Sequence, residues 1–191
     1  MKIGLFFGSF NPIHIGHLIL ASSICDNSDL DKIWFVVSPQ NPFKKNKVLL
    51  HEFDRLDLVR EAIVEDDRFE ATDIEFNMPK PSYTVDTLVY LKEKHPSYDF
   101  TLIMGEDNLS TFHRWKNQEI IIDRFSIVVY PRLGFIDKNN FLALGNVSKV
   151  EAPEIQVSST LIRKNIKEGK SIDYLVPKNL RELILSKGYY G

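Results

Sequence analysis

Cysteine is almost missing from this sequence. The single thiol, Cys25, excludes an intramolecular disulfide framework and suits a reducing cytosol. No apolar run approaches the roughly 18–20 residues that a membrane-spanning helix needs. The chain also lacks the charged, apolar and small-residue layout of a secretory signal, and strand-like residues begin directly after Met1. These absences predict a cytoplasmic protein with no membrane partner. An excess of one charge is lacking too. Lys and Arg number 24 against 26 Asp and Glu, a net charge of −2, so no global basic field calls for nucleic acid. There is no internal repeat and no low-complexity segment. What remains is an ordinary globular composition, 43% apolar and 26% charged, in 191 residues. That length suits one domain with a sizeable core. Cys25 itself reads as a small buried residue on the first helix. Lys44, Lys45 and Lys47 form a local basic cluster able to meet a small anion.

Strand-like and helix-like segments alternate. Ile3 to Phe7, Ile33 to Val37, Phe69 to Ile74, Phe100 to Met104 and Phe125 to Tyr130 read as strands, with a weaker one at Val147 to Val150. Between them, Glu52 to Val64 carries Phe53, Leu56, Val59 and Ile63 near helical spacing, and Thr84 to Lys94 carries Val85, Leu88 and Leu91. Asn117 to Asp123 fits a short helix. Ser159 to Lys167 and Pro177 to Ser186 fit two closing helices, with Pro177 at a first turn. Alternation of this kind predicts an α/β fold, a doubly wound parallel sheet covered on both faces. A small helical part over about 158–191 would close a single 1–191 unit. The loops Pro39 to Lys47 and Asn77 to Ser82 are the candidate substrate loops.

The chemistry concentrates where the first strand turns into the first helix. The string there is Gly8-Ser9-Phe10-Asn11-Pro12-Ile13-His14-Ile15-Gly16-His17. In open α/β sheets ligands collect at the carboxyl ends of strands, and a helix N-terminus attracts anions. His14 and His17 sit three residues apart and share a helix face. Gly8 and Gly16 allow close backbone approach. This describes a phosphate site for a nucleotide. Capping or surface histidines would leave the glycines and Ser9 without a reason, and a zinc site would lack a cysteine or an obvious third ligand nearby. A second cluster, Val157-Ser158-Ser159-Thr160-Leu161-Ile162-Arg163, places hydroxyls at a helix start and a guanidinium fork one turn in, both suited to phosphate oxygens.

The pairing of these two strings resembles the HIGH-motif nucleotidyltransferase superfamily. Ser82-Tyr83-Thr84-Val85-Asp86-Thr87, Met104-Gly105-Glu106-Asp107 and Trp115 narrow the resemblance to the bacterial nicotinate-nucleotide adenylyltransferases, over essentially the whole chain. The resemblance implies a Rossmann-like fold and transfer of AMP from ATP, with magnesium, to nicotinate mononucleotide. The products would be deamido-NAD and pyrophosphate. It also implies roles. Gly8, Ser9 and Phe10 would form the phosphate turn. His14, His17 and Arg163 would act on the ATP phosphates, with Ser159 beside them. Gly105 and Asp107 would hold the adenosine, Asp107 accepting from a ribose hydroxyl. Tyr83 and Thr84 would meet the nicotinate carboxylate through backbone N–H groups. Trp115 would stack on the pyridine ring, and Lys45 would reach the mononucleotide phosphate. The implied partners are the two small molecules, with no nucleic acid and no membrane; a homo-oligomer is compatible.

Two departures from the family pattern stand out. Trp115-Lys116 and Lys44-Lys45 stand where many relatives have an aromatic pair or a histidine-lysine pair, and Asn11 stands where aspartate is frequent, still able to bond within a turn. The implied mechanism needs no general base, because the attacking phosphate is already an anion. Rival readings are an adenylyltransferase for nicotinamide mononucleotide or phosphopantetheine, a non-catalytic nucleotide sensor, and a fragment of a class I aminoacyl-tRNA synthetase. The last would need a longer chain, a KMSKS-like loop and more basic surface.

Overall fold

The computed structural model describes residues 1–39, 49–134 and 140–191. Six strands form one wholly parallel sheet: β1 (Lys2–Gly8), β2 (Lys32–Val37), β3 (Phe69–Thr72), β4 (Asp99–Gly105), β5 (Ser126–Tyr130) and β6 (Val147–Lys149). Their order is β3-β2-β1-β4-β5-β6. The order reverses between β1 and β4, and a crevice opens at such a switch point beyond the carboxyl ends of the strands. The string Gly8 to His17 leaves β1 at that place, and Gly105 leaves β4 beside it.

Seven α-helices lie between and after the strands among the described residues: α1 (Ile15–Asp26), α2 (Glu52–Ile63), α3 (Thr84–Lys94), α4 (Glu106–Leu109), α5 (Gln118–Arg124), α6 (Ser159–Lys167) and α7 (Lys178–Ser186). Side chains alternate along each strand and so feed two cores. Phe6, Phe35, Val37, Ile103 and Val128 face Leu20, Ala21 and Ile24 of α1, Leu56 and Val59 of α2, Ile162 of α6, and Leu180 and Ile184 of α7. Ile3, Leu5, Val36, Leu102, Met104 and Val129 face Val85, Leu88 and Leu91 of α3 and Ile121 of α5. The two closing helices therefore pack into the same layer as α1 and α2. The α/β, doubly wound expectation holds, and most elements fall within a residue or two of their predicted bounds. One segment differs. Phe69 to Ile74 is strand only to Thr72, and Ile74–Asn77 is a 3-10 turn in which Glu75 and Phe76 are buried. Cys25 is half-buried, and burial pushes its thiol up to about 11, so it is an inert thiol at neutral pH.

Candidate active site

Beyond the end of β1 the chain makes a tight turn in which three carbonyl groups are held by side chains. The Ser9 carbonyl accepts from Arg55 Nη1 at 2.5 Å, the Asn11 carbonyl from Arg163 Nη1 at 2.6 Å, and the Pro12 carbonyl from Ser159 Oγ at 2.8 Å. The Asn11 side chain accepts from the Leu50 amide at 3.1 Å, which shows why a turn-forming amide serves at this position. Phe10 adopts a left-handed φ of 42° and buries its ring against Phe6, Phe35 and His17. A Cβ on Gly8 would lie 2.7 Å from that ring, so glycine is required there. Gly8 and Phe10 thus shape the turn, and only their backbone is available to a ligand.

His14 caps α1, and its ring lies 3.8 Å from that of His17, centroid to centroid. Gly16 leaves room for this, since a Cβ there would come 3.1 Å from His14 Nδ1. His17 Nδ1 accepts from the His14 backbone N–H at 3.2 Å. A neutral His17 therefore carries its proton on Nε2, where it can donate. His14 Nδ1 is buried with no hydrogen-bond partner among the described residues.

Ser9, His14, His17, Ser159 and Arg163 all line one cavity of about 270 Å³, together with Asn11, Thr160 and Arg132. The structure thus joins the two sequence motifs. It also refines them. Ser158, not Ser159, caps α6 by accepting from Leu161 N at 3.2 Å. The Ser159 hydroxyl hydrogen is committed to Pro12, so toward the cavity that oxygen can only accept. Arg132, which sequence reasoning missed, follows Pro131 at the end of β5. Its guanidinium lies 5.2 Å over the Tyr130 ring, and its buried Nε has no partner among the described residues. The signal was its place just past the carboxyl end of a strand. Among the described residues the cavity lining carries two guanidinium groups and no carboxylate, which suits a polyanion.

The remaining predicted residues stand apart from that cavity. Gly105 ends β4, and a Cβ there would overlap the Asp107 carboxylate. Asp107 Oδ1 is buried without a partner among the described residues, an acceptor ready for a donor. Tyr83 and Thr84 begin α3, and the structure brings Trp115 toward them through Lys116. Its Nζ lies 2.9 Å from Asp86 Oδ2 and 4.6 Å above the Tyr83 ring. Trp115 is half-buried and meets Phe112 edge-on at 5.3 Å. Buried Glu75 accepts from Ser82 Oγ and Thr87 Oγ1, each at 2.8 Å, and so ties down both sides of Tyr83-Thr84. Nothing in the sequence marked Glu75, because its partners lie on a different element. Lys45 lies outside the described residues.

Burial, reinforced by the charge of Arg132, lowers the His14 pKa to about 4. Burial, then His14 and Arg132, hold His17 well below the usual histidine value of 6.5. Both rings are neutral at pH 7. In the unfolded chain they protonate near pH 6.5, so between 6.5 and about 4 the unfolded state binds more protons. Stability therefore rises with pH across that window. The His14 contribution is complete above pH 6.5 and is lost as the pH falls toward 4, on the order of 3 kcal/mol. Melting temperatures from pH 7 down to 4.5 should fall, and less steeply in His14→Ala. An identical slope in the variant would mean that the ring titrates normally.

Comparison with known proteins agrees with this geometry. The model of the cytidylyltransferase-like family matches residues 5–165. A protein of Cytophaga hutchinsonii named "Probable nicotinate-nucleotide adenylyltransferase" is 57% identical, over 100% of this chain and 99% of its own. One of the same name from Flavobacterium psychrophilum is 50% identical with the same coverage. In fold, the chain is similar to the Plasmodium falciparum nicotinic acid mononucleotide adenylyltransferase solved with NaAD. The TM-score is 0.80 at 22% identity, covering 99% of this chain and 97% of that one. With its full length matched at this identity, the chain belongs to the nicotinate-nucleotide adenylyltransferase family of cytidylyltransferase-like nucleotidyltransferases.

Proposed function

We propose that this enzyme transfers AMP from ATP to nicotinate mononucleotide, forming deamido-NAD and pyrophosphate. The observation that carries the reading is the cavity where His14, His17, Arg132 and Arg163 converge at the switch point. The triphosphate occupies it. An oxygen of the mononucleotide phosphate attacks the α-phosphorus, and the bond from that phosphorus to the pyrophosphate oxygen breaks. Charge builds on the departing pyrophosphate, where His17 Nε2–H and the guanidinium groups stabilise it. The nucleophile is already ionised, so no side chain removes a proton. Alignment of two like-charged groups and their neutralisation supply the acceleration.

Asp107 receives a ribose hydroxyl of the adenosine at its unpartnered oxygen. Thr84 and Tyr83 offer the first N–H groups of α3 to the pyridine carboxylate, Trp115 stacks on the ring, and Lys45 meets the mononucleotide phosphate. Magnesium fits as an ion carried by the triphosphate. It would keep several waters and phosphate ligands, and the described residues of the cavity offer hydroxyl and imidazole groups but no carboxylate cage. When bound, it would add positive charge to that of Arg132 and Arg163 beside the leaving group.

Pyrophosphate release measured with ATP and each of nicotinate mononucleotide, nicotinamide mononucleotide and phosphopantetheine tests the assignment. The acid should give the highest kcat/KM. An equal or higher value with the amide or with phosphopantetheine overturns it. Within the same assay, Trp115→Ala should raise KM for the mononucleotide about tenfold and leave KM for ATP unchanged, the effect of losing one stacked ring. A large fall in melting temperature with parallel losses for both substrates would assign Trp115 to the core instead.

A further inference from the structure

Arg55 is fully buried, at 0% exposure, in the first turn of α2. It ion-pairs with no carboxylate among the described residues. Glu52, which acts on it electrostatically, is itself paired with Lys80 at 2.8 Å. All its hydrogen bonds go to backbone carbonyls: Leu50 at 2.9 Å, Ser9 at 2.5 Å, Ser38 at 2.8 Å and Pro39 at 3.2 Å. One guanidinium thus ties the turn after β1 to the end of β2 and to the entry of α2. Taking a guanidinium out of water costs several kcal/mol, and carbonyl dipoles offset this without cancelling its charge. A stabilising role alone would be met more cheaply by an apolar side chain.

The geometry says what the charge is for. In a trans peptide the C=O and N–H point in opposite directions. With the Ser9 carbonyl held by Arg55, the N–H of Phe10 points away from the arginine, and it has no acceptor among the described residues. Phe10 holds this orientation at a φ of 42°. We propose that Arg55 is a positioning residue for the phosphate site. It sets the Ser9–Phe10 peptide so that its N–H faces the bound triphosphate, and it backs that N–H with an unbalanced positive charge. The inference rests on the reading of the His14–His17 cavity as the triphosphate site.

Binding of inorganic tripolyphosphate by calorimetry, beside steady-state kinetics and melting temperature, tests it. Arg55→Lys keeps the charge and loses the fork; Arg55→Ala loses both. Affinity for tripolyphosphate and kcat/KM for ATP should fall about tenfold or more in the lysine variant and further in the alanine variant, the scale of a lost hydrogen bond to a charged group. Methylguanidinium should restore Arg55→Ala saturably, and methylammonium at equal ionic strength should not. A purely structural role would shift the melting temperature without that selective rescue. The proposal is overturned by a folded variant that binds tripolyphosphate within about threefold of wild type, by loss that neither cation distinguishes, or by failure of both variants to fold. If the wild-type protein itself does not bind tripolyphosphate, the cavity has been misread as a phosphate site, and that reading fails rather than this one alone.

Discussion

His17→Ala should lower kcat by roughly a hundredfold or more, the usual scale for losing one preset donor aimed at developing charge. The backbone N–H of His14 occupies Nδ1, so Nε2–H is the ring atom left to donate. The ring is neutral at rest, and it needs no reorganisation to donate. It also packs edge-on against Phe10 at 5.1 Å and Phe6 at 6.1 Å, so alanine removes some packing as well. The two effects separate by measurement. Melting temperature reports the packing, and kcat measured well below it reports the donor. A variant that retains kcat within a few-fold would make the histidine a packing residue of the turn.

Arg163→Ala should be as severe and fail differently, with kcat/KM for ATP falling by about a hundredfold or more. Two functions disappear together. The cavity loses one of its two guanidinium charges, and the Asn11 carbonyl loses its 2.6 Å donor. Among the described residues, the carbonyls of the turn after β1 then keep only Ser159 and Arg55 as side-chain donors. Arg163→Lys restores the charge without the planar fork, so it should recover only part of the loss. Full activity in the lysine variant would show that charge alone suffices and that the clamp on Asn11 is dispensable.

Much of the architecture was readable because its cues are local. Apolar runs such as Ile33 to Val37 mark buried parallel strands, and the Leu88 and Leu91 spacing marks a helix lying on a sheet. The Phe69 segment misled because Ile74 is apolar and packs on the core like a strand residue, although it already begins the 3-10 turn. Ser158, Ser159 and Thr160 place three hydroxyls at one helix start, and nothing local divides their roles. Only the distant Pro12 carbonyl decides that Ser158 does the capping and Ser159 the clamping. Arg55 and Glu75 gave no sequence signal, since each owes its role to partners on other elements, and Arg132 gave only its place just past the end of β5.

The sequence by itself determined the alternation of strands and helices, and hence the parallel sheet. It also placed a glycine-bounded turn with two histidines at the end of the first strand. Those are consequences of residue type and near-neighbour spacing. Tertiary structure alone decided the rest. It brought Arg163 to Asn11 across 152 positions and Ser159 to Pro12 across 147. It buried His14 and His17 beside Arg132, which makes them neutral donors rather than cations. It also tied the Ser9, Asn11 and Pro12 carbonyls of the turn after β1 to side chains of α2 and α6. The physical reason is range. Backbone conformation and hydrophobic periodicity act over a few residues, whereas desolvation and charge act through space, and space is set only when the sheet has closed its order.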